Sequence, residues 1–403
     1  MIKFLLALLI LVFSFSSVFA APSVTPTSKF KMYTTGTWQG FHQGNSNGAT
    51  AGIASGFQNA NSNLLMWVNL LDGVDVYADY YISVPPHAGQ FYGDEGYVKV
   101  SKLPGENPVA NVLNGLLFDR GIEVKAGQFE LDYGNNHFVR SNNAVTDQNP
   151  LIGNYLVDAD VVEFGLEMIG GFFGGAKWVL GVANGVNSQG FNSGKSYSLH
   201  AKIGYDNGLA LSGYRADQSN ADSTTAGLFR GPRNGSEYAA PTVGTSSILT
   251  GSGAGNLTLG QGKDVSGAQI DFAFGNKVLD IKGMVGYADD AGCIVSSKEV
   301  DDQWMYYGVE ARLNTANPDF YLAARYSGAY TKMFLGAAQD GATVDRFQAG
   351  FGYTPWEDTL FKTELVYEKY NKFTKTYTGD PYFYGVITQI STAFTLFDNL
   401  AKK

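Results

Sequence analysis

The chain has 403 residues, of which 16% are charged, and its formal net charge is −9 at pH 7. This charged fraction lies below the roughly 25% that is usual for soluble domains, and the acidic balance argues against nucleic acid or an anionic membrane surface as a partner. The 50 Gly, 24 Tyr and 27 Phe favour strands and turns over helices, and the single cysteine excludes an internal disulfide.

The first 20 residues have the pattern of a secretory signal. Lys3 is followed by an uninterrupted apolar run from Phe4 to Phe13, and Val18-Phe19-Ala20 suits a signal peptidase. We expect cleavage after Ala20; an uncleaved membrane helix is the alternative. No later segment has 18 consecutive apolar residues, so no membrane helix is expected after it. Residues 21–403 contain no Pro/Ser-rich linker and are expected to form one domain.

Segments with strict alternation of apolar and polar residues follow one another along the chain. Val74–Val84 and Ser196–Asp206 show the pattern over 11 residues each. About sixteen such segments of about nine to twelve residues are present, and a tilted crossing of a bilayer needs ~9–11 residues. They begin near Lys29, Leu64, Val74, Glu95, Gly121, Asp160, Gly175, Lys195, Gly208, Val265, Lys277, Gln303, Phe320, Val344, Leu360 and Tyr382.

Short and long connections alternate between these segments. Tight turns are predicted at Asp72-Gly73, 170–175, 206–208, Gly275-Asn276, 315–318 and Thr354-Pro355. Long polar connections are predicted at 39–62, 85–94, 133–158, 185–194, 218–263, 289–302, 331–343 and 370–380, with Cys293 as a loop thiol. The connection at 104–119 is too long for its short-turn position. This asymmetry predicts an all-β fold, a transmembrane antiparallel β-barrel of about 16 strands; a large secreted β-sandwich or β-helix is the alternative.

The third long connection carries a resemblance to a known family. GIEVKAGQFELDYGNNHFVRSNNA at 121–144, NPLIGNYL at 149–156 and the strand–turn–strand at 160–185 resemble the porins of the phosphate-selective O and P type. The resemblance implies a sixteen-stranded outer-membrane channel, often trimeric, whose third external loop folds into the lumen. Members that select phosphate carry many Arg and Lys along the pore, whereas this loop carries Arg140 against Asp147 and Asp158, and the chain ends DNLAKK after Phe397.

Charges on the predicted inward face divide into two groups. Strands three, five and six carry Asp75, Asp79, Glu123, Glu163 and Glu167, with Lys125 as an exception. Strands twelve to fifteen carry Arg312, Arg325, Arg346 and Lys362, with Glu310 and Glu364 as exceptions. In a closed barrel these groups lie on different walls, which predicts a transverse field across the constriction. The alternative is a lumen that is merely polar and partly self-neutralising.

The expected function is diffusion of small hydrophilic solutes and ions through a water-filled channel in the outer membrane, with membrane lipid around it and without a cofactor. A substrate-specific channel for phosphate, sugars or carboxylates is one alternative, and inward aromatic residues such as Tyr77, Tyr81 and Trp304 would favour sugars. A barrel adhesin or receptor that acts through its external loops is another, and a barrel enzyme is a third. His42, His87, His137 and His200 lie in separate segments without metal-ligand spacing.

Overall fold

The computed structural model describes residues 27–46, 50–52, 56–83, 91–105, 107–136, 148–157, 162–185, 196–217, 264–295, 298–334, 337–372 and 379–398. These residues form one antiparallel sheet with a short helix in one of the connections. Among them, no helix has the length and apolar character needed to cross a membrane.

Sixteen long strands and one three-residue strand follow one another along the described chain. They are β1 (Thr27–Asn45), β2 (Thr50–Gly52), β3 (Gly56–Leu71), β4 (Val74–Ser83), β5 (Phe91–Val100), β6 (Glu123–Glu130), β7 (Val162–Gly171), β8 (Lys177–Ala183), β9 (Tyr197–Gly204), β10 (Ala210–Asp217), β11 (Asp264–Gly275), β12 (Leu279–Val295), β13 (Lys298–Asn314), β14 (Phe320–Phe334), β15 (Ala337–Trp356), β16 (Thr359–Asn371) and β17 (Pro381–Asp398). Each predicted strand is found. The predicted range of strand lengths is too narrow, because the sixteen long strands have between 7 residues, in β8, and 20 residues, in β15.

The sheet closes between its first and last strands. β1 pairs with β17 from Lys29↔Asp398 to Asn45↔Pro381, and it pairs with β3 on its other side. Every neighbouring pair is antiparallel, so the long strands follow the sequence order around a closed 16-stranded barrel. Closure gives each strand two partners, which a membrane-spanning sheet requires because lipid offers no hydrogen bonds to an open edge.

The two faces of the barrel differ in chemistry. On β9 the apolar Leu199 and Ile203 are exposed, whereas His200 and Lys202 are buried. β13 repeats the pattern, with Val309 exposed. The exposed apolar face is the one predicted to meet lipid, and we call the opposite face the inward face.

Most of the predicted tight turns join the strands as expected. Asp72-Gly73 connects β3 to β4, and Gly73 has a φ of 80°, which glycine adopts without steric cost. The prediction of a turn at Thr354-Pro355 is wrong, because β15 continues to Trp356 and the turn lies at 357–358. A register shift between Tyr353 and Trp356 accommodates the proline, which has no N–H to donate to the sheet.

Three of the predicted long connections are largely strands instead. In 39–62, β1 runs on to Asn45, β2 spans Thr50–Gly52 and β3 begins at Gly56. β12 and β13 extend through most of 289–302 and leave only 296–297 between them, and β14 and β15 likewise leave 335–336. Cys293 was expected in a loop but pairs with Val300 in the β12–β13 ladder. These segments are polar, and composition alone does not separate a polar loop from a polar hairpin that continues the sheet beyond the membrane.

The long connection between β5 and β6 contains a helix that the sequence analysis did not predict. Helix α1 spans Pro108–Leu116, and a 3-10 turn follows at Phe118–Arg120. The Asn107 side chain caps α1 by accepting a hydrogen bond from the N–H of Ala110 at 2.8 Å. A capping asparagine followed by proline at the first helical position is the sequence signal that could have revealed it.

Candidate functional site

The predicted strand-borne site residues all project to one side of the sheet. Asp75 pairs with Lys99, Lys99 with Lys125, and Lys125 with Glu167, so the register places these four on the same face. Ten predicted site residues lie on this inward face: Asp75, Asp79, Glu123, Lys125, Glu163, Glu167, Arg312, Arg325, Arg346 and Lys362.

The connection between β6 and β7 supplies the remaining predicted residues. Its two described parts are residues 131–136, called the first limb, and residues 148–157, called the second limb. Arg140, Asp147 and Asp158 lie outside the described residues, as do His87 and His137. Both limbs contact the inward face of the barrel, as the following hydrogen bonds show.

The first limb crosses from β6 toward β12. The N–H of Gly134 donates to Ser212 Oγ on β10 at 2.9 Å. The Asn136 side chain donates to Asp271 Oδ1 on β11 at 2.9 Å and to the carbonyl of Gly283 on β12 at 2.7 Å. The limb therefore replaces water as the partner of inward polar groups on three strands.

Glu167 lies at the base of the first limb. Its carboxylate accepts a hydrogen bond from the Asp132 N–H at 3.1 Å, contacts His200 Nε2 at 2.8 Å and lies 3.4 Å from Lys125 Nζ. Lys202 Nζ donates to Asp132 Oδ1 at 2.7 Å. The predicted acidic residue is thus part of a buried charge network that fixes the start of the connection.

Glu163 is fully buried and is held by neutral donors. Ser198 Oγ donates to it at 2.6 Å, Tyr214 OH at 2.9 Å and the N–H of Gly185 at 2.8 Å. Three hydrogen bonds compensate for the loss of water around a buried carboxylate. Glu163 consequently ties the end of β8 to β9 and β10.

Arg325 binds the second limb to β13 and β14. The guanidinium forms a buried ion pair with Glu310, with Nε 2.9 Å from Glu310 Oε2. It also donates to the carbonyl of Gly153 at 2.5 Å and to Asn149 Oδ1 at 2.7 Å. The side chain is 1% exposed, so the limb covers this predicted pore residue.

Lys362 and Glu364 hold the same limb from β16. Glu364 Oε2 accepts hydrogen bonds from the N–H groups of Ile152 at 2.6 Å and Gly153 at 2.9 Å. Lys362 Nζ donates to the carbonyl of Leu151 at 3.0 Å. A carboxylate and an ammonium on one strand therefore satisfy consecutive donors and acceptors of the limb backbone.

Arg346 on β15 adds a third cationic anchor. Its Nε lies 2.5 Å from Glu368 Oε2, and its Nη1 donates to the carbonyl of Asn154 at 3.0 Å. Both side chains of the ion pair are fully buried. Arg325, Arg346 and Lys362 thus all donate to the second limb.

Tyr155 fills the space between the second limb and the wall. Its ring lies 4.2 Å from the Arg325 guanidinium, and a Cβ added at Gly308 would approach the ring to 2.6 Å. Glycine at position 308 therefore makes room for the ring. Burial raises the pKa of Tyr155 and the nearby Glu310 carboxylate raises it further, so the phenol stays neutral at physiological pH.

The inward face is more open along β3 to β6. Trp67 is 38% exposed there, and the side chains of Lys99 and Glu123, 3.6 Å apart, are 26% and 38% exposed. On β13, Arg312 is half-buried over the Tyr321 ring at 4.1 Å. The open wall therefore contains part of the predicted acidic group, whereas the limbs cover most of the predicted basic group.

Several residues that hold the limbs were not among the predicted site residues. Glu364 was recognised only as an exception on the basic wall, and Glu368, Asp271 and Asn149 were not considered. Alternation places Glu368 and Asp271 on the inward face, but their partners come from a connection that alternation does not describe. The polar run around Asn149 was the available signal.

Comparison with known proteins yields structural likeness without a sequence relative. No family model matches the chain, and no curated protein matches it. The outer-membrane channel DcaP of Acinetobacter baumannii aligns with a TM-score of 0.51 at 10% identity, over 92% of this chain and 98% of that one. Outer-membrane expressed OmpT of Vibrio cholerae aligns with a TM-score of 0.50 at 10% identity, over 92% and 99%. The anion-selective porin from Comamonas acidovorans gives 0.49 at 13% identity, over 91% and 100%. At these identities the likeness to DcaP and OmpT shows the fold.

Proposed function

We propose that this protein is an outer-membrane porin through which small hydrophilic solutes and ions diffuse. One observation carries the proposal: a closed antiparallel barrel exposes large apolar side chains outward and gathers charged side chains on its inward face. The outward apolar surface would contact lipid and the inward charged surface would contact water, as in transmembrane barrels with an aqueous interior. The barrel architecture shared with the outer-membrane channel DcaP supports the same function.

We further propose that the β6–β7 connection folds into the lumen and narrows it, as the family resemblance implies. The contacts of its two limbs with β10 to β16 support this placement. A channel constricted in this way leaves its solute path along β3 to β6, where inward side chains remain exposed.

The transverse field remains a prediction for this path. Its acidic side would include Asp75 and Glu123 on the open wall, and its basic side would include Arg312. Arg325, Arg346 and Lys362 would contribute from beneath the second limb. The contributions of Arg325 and Arg346 are reduced, because ion pairing with Glu310 and Glu368 offsets their charge.

We also propose that the protein is exported by the predicted signal and assembles as a homotrimer.

The test is single-channel recording of the folded protein in a planar bilayer. Stepwise conductance in KCl is expected, and the reversal potential in a KCl gradient gives the sign of the selectivity. A heat-unfolded sample at the same protein concentration is the control. Absence of conductance from protein shown to be folded by its strand spectrum would contradict the porin function.

A further inference from the structure

A row of aromatic rings lines the open part of the inward face. Trp67 on β3 pairs directly with Tyr77 on β4, and Tyr77 pairs with Tyr97 on β5. The ring centroids are 5.8 Å apart for the first pair and 5.0 Å for the second. Directly paired residues of neighbouring strands stand at one height on the wall, so the three rings form a continuous apolar strip that faces the interior.

Amide and carboxylate groups border the strip on both sides. One step along the strands in one direction, Asn69 donates to Asp75 at 2.8 Å. In the other direction, Asn63 on β3 donates to Asp79 on β4 at 3.0 Å. Asn63 and Asp79 are buried and bonded to each other, whereas Asn69 and Asp75 are half-buried. The Asn69–Asp75 border can therefore donate hydrogen bonds to and accept them from a ligand that rests on the rings.

The surrounding charges select against ions on this strip. Lys99 Nζ lies 5.6 Å from the centroid of the Trp67 ring, and Lys125 Nζ lies 4.6 Å from that of Tyr97. These ammonium groups lie close to the two outer rings of the row, so an organic cation would meet like charge there. An anion would instead meet the carboxylate of Asp75.

We propose that Trp67, Tyr77 and Tyr97 form a recognition site for neutral saccharides inside the channel. A pyranose has an apolar face of C–H groups that packs on aromatic rings and an equatorial edge of hydroxyls that bonds to amides and carboxylates. The ring row and the Asn69–Asp75 border offer both surfaces on the same face of the wall. This inference rests on the proposed porin function, and it narrows the solute class of that channel.

The experiment is a titration of single-channel conductance with maltotriose, in wild type and three variants. Wild type is expected to show saturable block. Trp67→Ala should raise the half-blocking concentration about tenfold, equivalent to about 1.4 kcal/mol, and Trp67→Phe should raise it less because a ring remains. The matched control is Trp38→Ala, because Trp38 is 36% exposed against 38% for Trp67 but lies on the outward face.

The outcomes separate this inference from the porin function. If the wild-type protein conducts KCl but is not blocked by maltotriose, the saccharide site is overturned and the porin function still stands. Equal loss of block in Trp67→Ala and Trp38→Ala also overturns it, because the effect would then be structural. Block by choline or phosphate in place of maltotriose overturns the charge argument. If the folded protein does not conduct, the saccharide site is tested by titrating its tryptophan fluorescence with maltotriose. Saturable quenching that is lost in Trp67→Phe supports the site. Absence of quenching in wild type overturns it.

Discussion

At the scale of single residues, buried charges hold the second limb in place. Arg325 donates to Glu310, to Asn149 and to the carbonyl of Gly153. A buried ion pair adds little stability compared with a well-packed apolar pair, but removing one member leaves the other charge buried without compensation. The main role of Arg325 is therefore to position the second limb, because the donors of its guanidinium group bind the limb in one place.

Arg325→Ala is expected to loosen the second limb and to lower stability by about 3 kcal/mol, the typical effect of breaking a buried ion pair. The variant should show a lower midpoint of thermal unfolding and noisier open-channel current. Loss of the positive charge should also shift the reversal potential toward cation preference. Arg215→Ala is the control, because its pair with Asp264 is exposed at 56% and 40%, and surface pairs contribute about 0–1 kcal/mol. Equal melting midpoints for the two variants would contradict the anchoring role of Arg325.

At the scale of elements, each strand has one exposed, largely apolar face and one face toward the barrel interior. Alternation sets which side chains face outward, and bulges such as the shift between Asp79 and Tyr80 change the phase locally. The polar ends of β12 to β15 continue the sheet as hairpins. The barrel wall at β12 to β15 is therefore taller than a tilted bilayer crossing requires.

Val309→Arg places a charge on the outward face of β13, further into the strand than Leu313, and should destabilise the barrel by about 2–4 kcal/mol. Leu313→Arg, on the same face next to the end of β13, should cost about 0–1 kcal/mol because the charge reaches the interface. Unfolding in urea from lipid vesicles measures both free energies. A larger loss for Leu313→Arg would show that the membrane surrounds a different part of the strand.

At the scale of the whole molecule, closure between β1 and β17 decides whether the sheet can exist in lipid. The β1–β17 register runs the full length of β1 apart from its first two residues, with one shift after Phe30. Without β17, both β1 and β16 would present unpaired backbone groups to the membrane, at several kcal/mol for each group.

Deletion of residues 381–403 is therefore expected to abolish the folded form. The measurement is the difference in gel mobility between unheated and heated samples, which a closed barrel in detergent shows. Deletion of 399–403 alone is the control and should leave the mobility difference unchanged. A folded, unheated form of the larger deletion would show that closure between β1 and β17 is dispensable.

Much of the architecture follows from sequence pattern alone. Alternation at Ser196–Asp206 predicts both β9 and its two faces, because side chains on a strand point to opposite sides with a period of two. The same rule places Glu163, Arg325 and Lys362 on the inward face. The polar segments at 289–302 and 331–343 were predicted wrongly, because a polar hairpin and a polar loop share one composition.

Local pattern along the chain is enough to predict the barrel, its strand order and the face on which the strand-borne charges of the site lie, since these depend on neighbours in the chain. Which of these charges meet depends on the folded chain. Gly153 contacts Arg325 and Glu364 across more than 150 residues of chain, and the Trp67–Tyr77–Tyr97 row depends on the register of three strands. Such contacts depend on where the β6–β7 connection and the strand registers place distant residues, and residue periodicity carries no information about that.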